Sequence, residues 1–171
     1  EQLATFGSLD RDPRTRVVSV AHIALAAPGS LQLDPTARLL PIRVPWAGES
    51  GGPVEVVDEA GGVVQIGFDH AAMLGVAVQR LRGKIDCTNV AFAMLPERFV
   101  LRDLQRVHET VLDRALNKDA FRRKVLASGL VRPTGDLQRQ LVVRPAHDVA
   151  DDGLAFLGRD RLAVEAVLDG G

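Results

Sequence analysis

An α+β fold is written into these 171 residues, and three observations predict it. Residues 16–68 hold short β-branched or apolar runs separated by glycine- and proline-containing turns, as strands of a sheet require. From Asp69 onward the apolar spacing changes from two residues to about 3.6, the period of a helix packed on one side. After the last such helix, residues 130–146 return to apolar alternation on either side of Thr134-Gly135-Asp136, the pattern of a hairpin.

The stretch GSLDRDPRTR (7–16) is a turn-rich loop with Pro13 and alternating charges. RVVSVAHIALA (16–26) is apolar on both alternating faces, which predicts a strand buried on two sides. ARLLPIRVPW (37–46) is a second extended segment, assigned to a sheet edge because Pro41 and Pro45 donate no backbone hydrogen bond. GESGGPVEVVDEAGGVVQIGF (48–68) reads as two short strands around a Gly61-Gly62 turn.

Asp69 is placed to cap a first helix, in which Met73, Leu74, Ala77, Val78 and Leu81 recur at helical spacing and Gly83 marks the end. KIDCTNVAFAML (84–95) is either a strand or an irregular entry, closed by Pro96. A second helix covers about 101–114. At 100° per residue its Leu101, Leu104, Val107, His108, Val111 and Leu112 fall within one arc of roughly 140°, opposite Arg102, Arg106, Glu109 and Thr110. A third helix covers about 118–128, with Asn117 as N-cap and Gly129 just beyond it. Residues 147–171 hold a polar turn and then RLAVEAVL, a short helix. Helix, short turn, helix and hairpin is the order of a winged helix-turn-helix, a binding module.

The formal net charge of −1 conceals a regional split. Residues 1–83 carry 7 Lys and Arg against 9 Asp and Glu, residues 84–149 carry 12 against 8, and residues 150–171 carry 2 against 5. Within 117–144 the ratio is 7 to 2. Such a local excess concerns partners and not fold, and it points to a polyanion. On a helical wheel of residues 118–128, Phe121 and Val125 face inward and Arg123 faces outward, flanked by Asp119, Ala120 and Ala127. Arginine pairs bidentately with guanine O6 and N7, and lysines neutralise phosphates. The plainer alternative for this stretch is a solvated basic face.

Of the histidines, His108 lies inside the apolar arc of its helix and reads as packed core. His22 is assigned to structure, and His70 and His147 have no companions at metal spacing. The sequence holds no H-E-x-x-H, G-x-S-x-G or P-loop motif, and no acidic cluster suited to Mg²⁺. Arg11, Arg14 and Arg16, around the stiffened turn of DRDPRTR, either hold a phosphate or pair with Asp10 and Asp12 in a structural loop. The lone Cys87 rules out a disulfide framework and is compatible with a reducing cytosol. No apolar run approaches the roughly 18 residues that span a bilayer. The opening EQLATFG has neither a Met nor a signal-peptide profile, so the chain is expected to start within a longer protein.

Several stretches together resemble one family. EQLATFGSLDRDPRTRVVSVAHIALA (1–26) looks like the second half of a bacterial Nudix domain of the ADP-ribose-recognising type. FDHAAML (68–74), residues 80–135 from RLRGKIDC to LVRPTG, and RPA (144–146) look like the winged-helix extension joined to such domains. This combination is that of the Nudix-related transcriptional regulators of the NrtR type.

The resemblance implies the C-terminal half of a Nudix-like fold followed by a winged helix-turn-helix. It divides the chain into a partial, effector-sensing Nudix-like domain (1–83), a winged helix DNA-binding domain (84–149) and a C-terminal extension (150–171). It implies a cytoplasmic, homodimeric repressor of NAD-metabolism genes that binds double-stranded DNA and responds to ADP-ribose or a related nucleotide. A dimer would set two recognition helices roughly 34 Å apart. Carried onto this chain, the recognition helix holds Lys118, Arg122, Arg123 and Lys124, the wing holds Arg132, Thr134 and Arg139, and the loop of Arg11, Arg14 and Arg16 belongs to the sensing domain.

Two departures stand out. The Nudix signature G-x5-E-x7-R-E-x-x-E-E-x-G is absent from these residues, so neither Mg²⁺ nor any other cofactor is expected here, and no catalysis. The alternative expectation is a Nudix pyrophosphohydrolase whose catalytic half lies upstream of Glu1. Val100 also stands where a Thr usually caps the second helix, a loss of about 1 kcal/mol.

Overall fold

The computed structural model describes residues 1–27, 29–32, 34–35, 37–133, 141–143 and 154–155. β1 (Gln2–Phe6) pairs antiparallel with β2 (Ser19–His22), with a bulge between Gln2 and Ala4. β3 (Leu25–Ala26) follows. β4 (Ile42–Arg43), β5 (Glu55–Val57) and β6 (Val63–Val64) form an antiparallel meander in that order. The 16–26 stretch is therefore not one strand buried on both faces. Among the described residues β2 pairs with β1 alone and one side of the ribbon stays open, with Val18 and Val20 at 55% and 51% exposure. The edge position of β4, after Pro41, and the β5–β6 turn agree with the sequence. The Asp58 N–H donates to the Gly62 carbonyl at 2.9 Å, and Gly61 supplies the positive φ of 85° that this turn needs.

α1 (His70–Ile85) is the axle of the molecule. Asp69 precedes it, but its side chain caps no helix N–H. Gly83 does not end the helix, because Ile85, two residues beyond it, is buried to 1% exposure. That burial outweighs the roughly 1 kcal/mol helix penalty of a glycine. The loop from Trp46 to Val54 lies along α1 as a strap. The Val54 N–H donates to the Ala71 carbonyl at 3.1 Å, and Gln79 Nε2 donates to the Glu49 carbonyl at 2.8 Å. Between these, a Cβ on Gly75 would sit 1.8 Å from the Gly52 carbonyl oxygen.

Beyond α1 come a one-turn α2 (Val90–Ala93), β7 (Arg98–Val100), α3 (Leu101–Leu112), α4 (Lys118–Ala127), β8 (Arg132–Pro133) and β9 (Leu141–Val143). Residues 84–95 are thus the end of one helix and a turn of another, with no strand. The strand of this region is β7, which the sequence does not announce because its three residues acquire partners only when β9 pairs with them. The sheet order is β7-β9-β8, so helices and hairpin close into a winged helix. β10 (Leu154–Ala155) runs parallel to β3. The segment read as a helix at 161–168 lies outside the described residues. One continuous core runs from Ile42, Val54 and Val56, through Leu74, Val78 and Ile85, to Leu104, Val111, Phe121 and Val125.

Candidate nucleic-acid interface

α4 forms where the sequence places it. The Asn117 side chain accepts from the N–H groups of Asp119 (3.1 Å) and Ala120 (2.9 Å), satisfying two of the helix's free donors. Gly129, with φ 68°, follows its last turn. Only Phe121 and Val125 of α4 are buried. Phe121 meets His108 edge to face at 5.0 Å. His108 is the core histidine its position on α3 predicts: its Nδ1 lies 2.9 Å from the Leu104 carbonyl, and burial pushes its pKa down, keeping the ring neutral at pH 7. Val100 stands at the α3 N-cap with an extended backbone and makes no side-chain cap.

The turn between α3 and α4 is stapled by Gln105 and by Glu109, which the sequence reading placed on the solvent face. Glu109 Oε1 accepts from the Leu116 N–H at 2.8 Å and from Gln105 Nε2 at 2.9 Å, and Gln105 also donates to the Leu116 carbonyl. These bonds, the Leu116 N–H first, hold the Glu109 carboxyl below its usual pKa. The stapled turn leaves a groove of about 540 Å³ between the two helices. Lys118 and Arg122 of α4 face Arg102 and Arg106 of α3 across it. Arg102 and Arg106 had a sequence signal, being exposed and four residues apart on the polar side of α3, but only the helix crossing brings them to α4.

The other predicted residues fall as follows. Arg123 is exposed and has no side-chain partner among the described residues. Lys124 is exposed but paired with Asp86, just past α1, at 2.8 Å, a contact that lowers the Asp86 pKa. Arg132 is exposed on β8 and registers with Val143. Arg98, on β7, registers with the same Val143 from the other side, so the two arginines share one face of the wing sheet. Sequence reasoning missed Arg98 because it missed β7. Thr134 and Arg139 lie outside the described residues.

The three arginines of the 10–16 loop part company. Arg11 is bidentate to Asp69, from Nε at 3.0 Å and Nη2 at 2.9 Å, and donates to Ser19 Oγ at 2.7 Å, with its side chain only 5% exposed. It ties the loop to the start of α1, which is why Asp69 does not cap the helix. Arg14 pairs with Asp12 and lies 5.2 Å over the ring of Phe68. Its hydrogen bonds hold the Asp12 carboxyl at about 2. For these two the structural alternative holds. Arg16 alone of the three is exposed without a partner among the described residues. His22 is exposed at the end of β2, away from any core.

Among the described residues no three His, Cys, Asp or Glu side chains are grouped to hold a metal ion. No described helix is long and apolar enough to cross a membrane.

Comparison with known proteins agrees with this geometry. The family model described as the NrtR DNA-binding winged helix domain matches residues 91–147. The ADPR responsive transcriptional repressor NtrR of Acinetobacter baylyi is 32% identical over 146 residues, covering 85% of this chain and 53% of the relative. Among solved structures, Shewanella oneidensis NrtR superposes with a TM-score of 0.60 at 28% identity, over 84% of this chain and 63% of that one. The same protein in complex with a 27mer DNA gives 0.57 at 27% identity, over 84% and 62%. A MutT/nudix family protein from Enterococcus faecalis shares the fold, with a TM-score of 0.60 at 19% identity, over 84% and 60%. The chain spans about half the length of the curated relative it matches.

Proposed function

We propose that this chain, whose residues 91–147 match the NrtR DNA-binding winged helix model, is a DNA-binding transcriptional repressor. The effector is ADP-ribose or a related NAD metabolite, the controlled genes belong to NAD metabolism, and the working form is a cytoplasmic homodimer. Residues 1–83 sense, residues 84–149 bind DNA, and residues 150–171 are an extension. The sequence holds no Nudix box, so no hydrolysis is assigned to these residues.

One observation carries the reading: the groove between α3 and α4 gathers Arg102, Arg106, Lys118 and Arg122 beside an outward Arg123. Four cations around one concavity follow a phosphate backbone, and an arginine on the outer face of α4 with no side-chain partner among the described residues can meet a guanine edge. Arg98 and Arg132 extend the positive surface onto the wing, where Thr134 and Arg139 also belong in sequence. In the sensing part, Arg16 is the exposed cation offered to an effector phosphate, and Arg11 and Arg14 shape its loop.

Salt titration of duplex binding tests the proposal. Release of counterions from about four or more neutralised phosphates gives a log–log slope near −4 or steeper. No duplex binding at low salt would refute it.

A further inference from the structure

Asp119 is an acid on the surface that the proposed function lays against DNA. It is exposed in the first turn of α4, one helical turn before Arg123 and therefore on the same face. Its carboxylate has no partner among the described residues. Capping is done by Asn117, which receives the Asp119 N–H, so the Asp119 side chain is not needed there. Around it stand Lys118, Arg122 and Arg123, and a carboxylate among them weakens attraction to every phosphate nearby. A recognition helix contacts base edges mainly through its N-terminal residues, and Asp119 is in that position.

We infer that Asp119 is a specificity-determining residue, accepting a hydrogen bond from the N4 amino group of a cytosine in the major groove, beside the base pair met by Arg123. The inference rests on the DNA-binding reading. A carboxylate only accepts, so it needs an amino donor on the base edge. Two bases offer one there. Adenine sets the acceptor N7 next to its N6 amino group and repels a carboxylate, whereas cytosine presents N4 without such a neighbour. The choice therefore falls on cytosine.

The test is selection from a randomised duplex library with the full chain and two variants, Asp119→Asn and Asp119→Ala. The wild-type chain selects cytosine at one position. Asp119→Asn, which can donate and accept, moves that preference to adenine. Asp119→Ala loses it by roughly tenfold while binding random duplexes at least as tightly. Circular dichroism and salt-dependent binding to random duplexes verify that α4 is intact in both. Unchanged base preference in the variants overturns the inference and leaves Asp119 as a first-turn acid favouring the helix dipole. Wild-type binding without base preference also overturns it, with DNA binding itself still standing. Absence of any duplex binding at low salt overturns both.

Discussion

Nε of Arg82 donates to the backbone carbonyl of Val111 at 2.8 Å, joining α1 to the last turn of α3 from a residue only 2% exposed. The same guanidinium sends Nη1 to the carbonyls of Trp46 (3.1 Å) and Gly48 (2.9 Å) and stacks 4.8 Å over the Trp46 ring. One cation thus holds both the strap and α3 to α1, through carbonyls and an aromatic face and not through a carboxylate. Burial pushes its pKa down, yet a guanidinium remains charged at any physiological pH.

Arg82→Met keeps the length of the side chain and removes every one of these bonds. Stability is expected to fall by about 3 kcal/mol, as for other buried charged donors that are deleted. Urea denaturation reads the loss, and Arg82→Lys is expected to recover only part of it, having no planar fork.

Two glycines of α1 separate helix propensity from packing. Gly83→Ala adds a Cβ 3.3 Å from the end of the flexible Glu49 side chain, so the helix gain of roughly 0.5–1 kcal/mol survives. Gly75→Ala drives a Cβ to 1.8 Å from the Gly52 carbonyl oxygen, and backbone must move. Its net effect is a loss of about 2 kcal/mol or more, since overpacking exceeds the same propensity gain. Thermal midpoints that move in opposite directions check the pair.

Asp86 holds Lys124 away from full availability to phosphate. Both side chains are well exposed, at 44% and 59%, so Asp86→Asn costs less than about 1 kcal/mol of stability. Duplex affinity at low salt is expected to rise about threefold, and the gain to vanish near 1 M salt. Fluorescence anisotropy with random duplex measures both.

Within the interface, Arg106→Ala and Lys118→Ala are expected to weaken all duplexes alike, each reducing the salt slope by about one. Arg123→Ala is expected to relax base preference instead. Indistinguishable behaviour of Arg123→Ala and Lys118→Ala would contradict the outward assignment of Arg123.

The Asp12 carboxyl titrates at about 2 in the fold against an ordinary 3.8, chiefly through the Arg14 side chain and then its N–H. Because the folded value is the lower one, this pairing stabilises fully above about pH 4 and is lost as pH falls toward 2. The thermal midpoint is expected to drop through that window, and Asp12→Asn to flatten the drop. Arg14 is 74% exposed, so added salt should shrink the difference.

Local chemistry was readable in the sequence wherever it acts within a few residues. Asn117 capping α4, Gly129 after it, the Gly61 turn and the apolar arc of α3 around His108 all arise from hydrogen bonds or periodicity inside one element. The winged-helix order, and the placing of Lys118, Arg122 and Arg123 on one helix, follow from the same short-range rules.

What only the tertiary structure decided depends on contacts distant in sequence. β7 exists because β9 pairs with it, and α1 passes Gly83 because Ile85 has a core to enter. Arg11 reads equally as a phosphate ligand or a loop partner until Asp69 is found bidentate to it, and Arg102 and Arg106 join Lys118 and Arg122 around one groove only when α3 crosses α4. A side chain's type states which bonds it can form. Which bond it forms is set by the competitor the fold brings nearest, and a linear chain does not show that distance.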